Sequence, residues 1–261
     1  PFFFTALRFT CVALLLLPFV PVPGKKQMHD IAIIGLLNAM HFSLPYLGLA
    51  LGLSIASTAI TAQLGIPFSC LLGAIMMNDR LGPWRSAGMA LAFFGMFIVF
   101  GAPNVLEHQA GFIATLAGAF FWGLCNILLK RVSGVQLFQM LAWMSVFTAP
   151  PVLLISFVFE PGAWQSLSDV PMPALLGLIY TVLASTLISH SLWYFLLQTY
   201  PITYVAPYSL MTPVFGALFA LLIFGEQITW EIVIGGLITL IGVAIIVRRR
   251  PKLAALEPEP V

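Results

Sequence analysis

Nine long runs of apolar residues divide this chain of 261 residues. The runs cover residues 2–22, 31–53, 57–77, 84–103, 111–130, 138–159, 173–197, 204–224 and 230–247. A helix needs about 20 apolar residues to cross the hydrocarbon core of a bilayer. Lipid offers no hydrogen bonds, so the backbone must satisfy its own, and unbroken runs exclude the alternating pattern of a barrel strand. The sequence therefore predicts an all-α membrane protein with about nine transmembrane helices.

The scarcity of charge supports the same conclusion. Hydrophobic residues make up 61% of the chain and charged residues 8%, against roughly 45–50% and about 25% in soluble domains. The 11 basic and 9 acidic side chains cannot cover a water-facing surface of this size. Lipid must therefore be the solvent for most of the protein surface.

The basic residues predict the orientation in the membrane. If the loop with Lys25 and Lys26 is cytoplasmic, alternating spans place ten of the 11 basic residues inside, and only Arg8 is left out. The other inner basic residues are Arg80, Arg85, Lys130, Arg131, Arg248, Arg249, Arg250 and Lys252, and the outer loops carry Glu107, Glu160, Asp169, Glu226 and Glu231. The tail, 251–261, is predicted to be cytoplasmic and disordered.

The first apolar run is not a signal peptide. It has no basic segment before it and no small-residue cleavage site. The chain begins at Pro1, which the predicted orientation places outside. We therefore expect an odd number of helices, most simply one, to precede this sequence.

Two segments of the chain resemble each other and predict an internal repeat. Each has a proline in one helix, Pro67 or Pro213, followed by an acidic hairpin residue, Asp79 or Glu226. Each then has two glycines seven residues apart, Gly88 and Gly95 or Gly235 and Gly242. The offset is 146 residues at the proline and 147 afterwards. Because the predicted orientation puts the two hairpins on opposite sides, the repeats should be inverted, as in secondary transporters.

The roles of these repeated residues are predicted separately. We interpret the glycines as packing residues that let backbones approach closely. The two prolines lie inside their apolar runs and should bend those helices. The acidic residues are interpreted as hairpin or helix-cap groups, and chance similarity among apolar helices is the alternative to duplication.

Several short patterns together make the chain similar to EamA-type transporters of the drug/metabolite transporter superfamily. They are 5–9 (TALRF), 121–123 (FWG) with Asn126 and Lys130-Arg131, and 205–210 (VAPYSL) continuing through Pro213 to 225–228 (GEQI). The resemblance covers essentially the whole chain and is greatest for the branch that exports cysteine and O-acetylserine. It departs from the family at Asp79, where the hairpin glutamate is usual.

The resemblance implies ten helices in two inverted five-helix halves, with both termini cytoplasmic. On that basis residues 1–103 form the first repeat without its first helix, and 104–250 form the second. The implied location is a bacterial inner membrane, and the implied partners are a small-molecule substrate and lipid, with no nucleic acid; an oligomer is left open.

Polar residues inside the membrane are costly and mark candidate sites. Trp122, Asn126 and Lys130 stand at i, i+4 and i+8 and share one helical face, which could line a substrate path. Alternatively, Trp122 packs and Lys130 anchors the helix at the inner surface. For Asn126 both interpretations stay open.

The remaining candidate site residues come from other runs. They are His41, Gln63, His190, Trp193 and Tyr208. A histidine in mid-span is either a satisfied packing residue or a binding group, and Gln63 could hydrogen-bond across helices. Arg8 could bind a substrate carboxylate, but we expect it to snorkel to the outer surface.

No catalytic pattern accompanies these residues. The chain has no phosphate loop, no HExxH and no paired carboxylates within its apolar runs, and its three cysteines stand alone as expected for small buried hydrophobes. No cofactor or metal is predicted. The sequence therefore predicts a secondary transporter that exports small polar metabolites such as amino acids. The alternatives are an intramembrane enzyme acting on lipid and a non-transporting membrane scaffold.

Overall fold

The computed structural model of the chain describes residues 1–77, 81–129, 132, 134–163, 165, 170–189, 191–192, 196, 208 and 210–248. Over those residues the regular structure is entirely helical. The helices are α1 Phe2–Leu16, α2 Lys25–Ala50, α3 Ile55–Ala62, α4 Gly65–Met77, α5 Pro83–Phe100, α6 Pro103–Glu107, α7 Gln109–Leu129, α8 Leu137–Phe159, α9 Met172–Tyr180, α10 Met211–Phe224 and α11 Trp230–Arg248. A short 3₁₀ helix, Leu17–Phe19, follows α1, and a π-helical segment, Thr181–Ile188, continues α9.

Within the described residues, 7 stretches are long and apolar enough to cross a membrane. They are Phe2–Phe19, Lys25–Ala50, Ile55–Met76, Pro83–Phe100, Gln109–Leu129, Leu137–Phe159 and Trp230–Arg248. Two shorter apolar stretches, Met172–Ile188 and Met211–Phe224, fall in the two remaining predicted runs. The predicted all-helical membrane class is confirmed, whereas the count of nine spans stays a prediction. The tail, 251–261, lies outside the described residues.

The third apolar run forms two helices, not one bent helix. α3 ends at Ala62 and α4 begins at Gly65, so that Pro67 is the third residue of α4. Proline has no amide hydrogen and its ring clashes with the carbonyl four residues earlier, here that of Gln63. Proline fits the first turn of a helix, where no amide donor is needed. Pro213 has the same place, as the third residue of α10.

The repeated glycines join α5 to α11 by direct backbone contact. A side-chain carbon added to Gly95 would lie 2.6 Å from the carbonyl oxygen of Gly235. One added to Gly242 would lie 2.6 Å from the carbonyl oxygen of Gly88. Residue numbers rise along one helix as they fall along the other, so the two helices cross in antiparallel directions. The predicted packing role of these glycines is confirmed.

Helix α7 packs against α2 on one side and α4 on another, while α8 packs against α1 and α2. Glycines again permit the close approach. A side-chain carbon on Gly118 would lie 2.8 Å from Cδ of Pro45 in α2, and one on Gly123 would lie 2.9 Å from the amide nitrogen of Ser69 in α4. This arrangement brings the middle of α2, the start of α4 and the middle of α7 together.

Candidate functional site

The centre of the candidate site is a contact between α2 and α7. The rings of His41 and Trp122 lie with their centroids 6.2 Å apart, and Phe42 packs beside His41 with a centroid separation of 4.5 Å. The His41 Nδ1 atom lies 3.2 Å from the carbonyl oxygen of Gly118. All three rings are partly buried, so each keeps some surface that a solute could contact.

The start of α4 packs against the indole ring of Trp122. The indole ring lies directly against Gly65, where any larger residue would collide with it. Asn126, one turn along α7, faces the same helix, and its Nδ2 atom lies 3.5 Å from Oγ of Ser69. The Ser69 hydroxyl donates a shorter bond of 2.8 Å to the Gly65 carbonyl. The amide of Asn126 is thus only weakly engaged by Ser69, since 3.5 Å is at the outer limit for such a bond.

We call His41, Phe42, Ser69, Trp122 and Asn126 the mid-membrane cluster. Its members come from α2, α4 and α7. Three of them, His41, Trp122 and Asn126, are predicted site residues. The i, i+4 spacing of Trp122 and Asn126 places both on the face of α7 that meets α4. The cluster combines aromatic faces with neutral hydrogen-bonding groups.

The structure places the other predicted site residues differently. Gln63 is buried at the end of α3, where the helix is interrupted. Tyr208 has an exposed fraction of 71%, so the structure does not bring it into the mid-membrane cluster. His190, Trp193 and Lys130 lie outside the described residues.

Arg8 is the residue that sequence reasoning placed wrongly. Its side chain is only 2% exposed, so the prediction that it snorkels to the surface was wrong. Its Nε atom donates a 2.9 Å hydrogen bond to Oγ1 of Thr186, and its Nη2 atom lies 3.4 Å from Oγ of Ser185. These hydroxyls belong to the π-helical segment and lie 178 and 177 residues away in the chain. The only sequence signal was the position of Arg8 within an apolar run, one third of the way along residues 2–22.

Phe42 connects Arg8 to the cluster. The guanidinium carbon of Arg8 lies 4.7 Å from the centre of the Phe42 ring, which is within the range of a cation–π contact. Tyr46, one turn further along α2, also lies beside the guanidinium. A fixed positive charge therefore adjoins the neutral and aromatic groups of the cluster. Among the described residues, no group of three or more His, Cys, Asp or Glu side chains could hold a metal ion.

Long apolar helices that meet around polar and aromatic groups at mid-span define a multi-pass membrane protein with a candidate site between its helices. The model of the EamA-like transporter family matches residues 109–248. This chain belongs to the EamA-like transporter family, and it is a transporter. The resemblance that the sequence motifs suggested is thereby confirmed, as is the location in a cell membrane.

Two curated relatives match nearly the whole chain. A probable amino-acid metabolite efflux pump of Salmonella typhimurium is 30% identical over 255 residues, which cover 94% of this chain and 85% of that protein. A probable amino-acid metabolite efflux pump of Escherichia coli is 28% identical over 254 residues, with the same coverage of 94% and 85%. Both names describe proteins that move a solute out of the cell.

A solved crystal structure has the same fold. It superposes with a TM-score of 0.59 and 20% sequence identity, and the match covers 94% of this chain and 87% of that one. At this identity the likeness shows the fold alone. The arrangement of helices around the mid-membrane cluster is therefore that of a known fold.

Proposed function

We propose that this transporter exports small zwitterionic metabolites, amino acids or their derivatives, across the inner membrane. The observation that carries the proposal is the contact between His41 and Trp122 beside Asn126. Its aromatic faces and neutral hydrogen-bonding groups suit a small polar solute without net charge. The two relatives named as amino-acid metabolite efflux pumps support this substrate class.

The proposed mechanism is alternating access between two inverted halves, residues 1–103 and 104–250. The α5–α11 contact supports this symmetry. The repeat offset of 147 residues relates Gly88 to Gly235 and Gly95 to Gly242. The contact Gly95–Gly235 then maps onto Gly242–Gly88, which is the other contact that the structure contains. Self-matching of this kind is what a two-fold axis between α5 and α11 would produce.

The site lies between these proposed halves. His41 and Ser69 belong to the first half, whereas Trp122 and Asn126 belong to the second. Rocking of one half against the other would therefore open or close the mid-membrane cluster from either side. The cluster also stands near the middle of its spans, because His41 is the seventeenth residue of the 26-residue helix α2.

Reconstitution in liposomes tests the proposal. Purified protein should carry radiolabelled L-cysteine or O-acetyl-L-serine across the vesicle membrane, and a variant with His41→Leu and Asn126→Leu should not. The variant Ile113→Leu, which changes an exposed residue of the same helix α7, is the matched control. Lipid turnover without solute flux would favour the intramembrane enzyme, and neither activity would favour the scaffold.

A further inference from the structure

We propose that the buried guanidinium of Arg8 binds the carboxylate of the transported metabolite. The inference rests on the proposed function, because it assigns a residue to the recognition of the same substrate. It adds a fixed positive charge to a site that otherwise offers only aromatic and neutral groups. Arg8 would thereby determine which derivatives of an amino acid the transporter accepts.

Among the residues that the structure describes, no acidic side chain pairs with the charge of Arg8. The nine acidic residues of the sequence are Asp30, Asp79, Glu107, Glu160, Asp169, Glu226, Glu231, Glu257 and Glu259, and all lie near span ends, in connections or in the tail. Arg8 is the seventh residue of α1, about 9 Å along the helix from Phe2 at a rise of about 1.5 Å per residue. Glu160 accepts hydrogen bonds from the amides of Phe2 and Phe3 at that distant end.

The partners that Arg8 does have are neutral. The hydroxyls of Thr186 and Ser185 accept its hydrogen bonds, and the Tyr46 side chain is a further hydrogen-bonding neighbour. The rings of Phe42 and Phe9 lie 4.7 and 5.4 Å from the guanidinium carbon. A buried charge with only neutral partners is poorly compensated compared with one that meets a carboxylate. A substrate carboxylate would therefore displace hydroxyl contacts and neutralise the guanidinium in one step. The planar fork of arginine suits such a bidentate contact.

The surroundings of Arg8 fit a site that opens and closes. Thr186 and Ser185 lie in the π-helical segment, and short π-helical insertions are frequent at functional sites. The guanidinium adjoins Phe42, whose neighbour His41 contacts Trp122. Arg8 is covered by its neighbours, with an exposed fraction of 2%, so a carboxylate would reach it only when the surrounding helices move apart.

The test compares two probes that differ only at the carboxylate. L-Cysteine and L-cysteinamide have the same side chain and amine, but the amide lacks the negative charge. Wild-type protein in liposomes should transport cysteine about 10- to 100-fold faster than cysteinamide, the range expected for one charge-assisted hydrogen-bonded contact. Equal rates for the two probes in wild-type protein would overturn the proposal without any variant.

The variant Arg8→Gln separates recognition from structure. It keeps a hydrogen-bond donor for Thr186 but removes the charge, so cysteine transport should fall to the rate of cysteinamide, which itself should change less than about twofold. Thr186→Val is the matched control, because it removes a hydroxyl partner and leaves the charge, so it should keep the preference for cysteine. An equal loss for both probes in Arg8→Gln would show that Arg8 only holds helices together.

The proposed function can fail independently of this inference. If wild-type protein moves neither cysteine nor O-acetylserine, the substrate class is wrong. If it moves both and Arg8→Gln retains the preference for cysteine over cysteinamide, the substrate class stands and the role of Arg8 is wrong. Should Arg8→Gln not be recovered as folded protein, Arg8→Met gives the same test, since it also removes the charge and should abolish the preference for cysteine over cysteinamide.

Discussion

The carboxylate of Glu226 accepts a 2.7 Å hydrogen bond from the backbone amide of Ile55. Its second oxygen accepts another, of 3.2 Å, from the amide of Ala56. Glu226 lies in the connection between α10 and α11, and Ile55 is the first residue of α3. The amides in the first turn of a helix lack intrahelical partners, and a negative charge there is favourable. The contact therefore ties the connection to the end of α3 that is predicted to lie outside.

Weakening this contact should favour opening toward the outside. In Glu226→Gln the NH2 of the side-chain carboxamide replaces one carboxylate oxygen. This NH2 is a donor and cannot accept from the backbone amide of Ala56, so one hydrogen bond is lost. We expect the arrangement in which Glu226 contacts α3 to lose about 1–2 kcal/mol, or five- to thirty-fold in population. A cysteine at the buried position Thr58, in a background without the native cysteines, should then react faster with an impermeant maleimide.

The matched control for that experiment is Glu107→Gln. Glu107 ends α6 and is exposed, so its substitution should leave the labelling rate at position 58 unchanged. If Glu226→Gln and Glu107→Gln behave alike, the contact with α3 does not hold the protein closed.

Substitution of Gly95 should destabilise the protein. The added methyl of Gly95→Ala would lie 2.5 Å from the amide nitrogen of Thr239, which forces α5 and α11 apart. Overpacking of this kind costs about 1–3 kcal/mol. Thermal unfolding in detergent should show the loss, whereas Gly177→Ala in α9, where the methyl meets nothing within 4 Å, should not. Equal midpoints for the two variants would contradict the backbone contact.

The side chain of Asn126 should matter more for transport than for stability. Its bond to Ser69 is long, at 3.5 Å, so Asn126→Leu should lose little folding free energy, within about 1 kcal/mol. If the amide contacts the solute, cysteine flux at matched expression should still fall at least about tenfold. Ser69→Ala removes the same bond from the other side and measures the loss of flux that the bond alone accounts for, and Asn126→Leu should lose more. Loss of flux in both variants to the same degree would indicate a structural link instead.

The orientation can be read by labelling from each side. Lys26 and Gln109 are both exposed, and the predicted topology places them on opposite sides of the membrane. A cysteine at position 26 should react with an impermeant reagent only after the inner face is made accessible, and one at position 109 should react from outside. Labelling of position 26 from the outside alone would reverse the topology.

The helical spans were predictable because their signal is local. A run of apolar residues long enough to cross a bilayer has few other solutions. The interruption at Gln63 and Leu64 was harder, since Pro67 signals a disturbed helix but not whether the chain bends or stops. The two shorter stretches border residues outside the described part of the chain, so the span count rests on the sequence.

The site was predictable only in part because it depends on contacts between distant segments. The shared face of Trp122 and Asn126 follows from helical periodicity. The burial of Arg8 does not, because it depends on hydroxyls from the π-helical segment and on Phe42. Periodicity likewise says little about which side of a helix faces lipid, so the assignment of Tyr208, whose side chain is exposed, to the site stays a prediction.

The interruption between α3 and α4 divides one membrane crossing into two short helices. α3 packs against both α10 and α7 and is tied to Glu226, whereas α4 packs mainly against α7. If the proposed alternating access displaces α10 relative to α7, α3 would be drawn toward two partners and α4 toward one, and the turn at Gln63 and Leu64 would take up the difference. Trp122 rests on Gly65, the first residue beyond that joint. A movement of α10 would thereby alter the surface of α4 on which the indole ring of Trp122 packs.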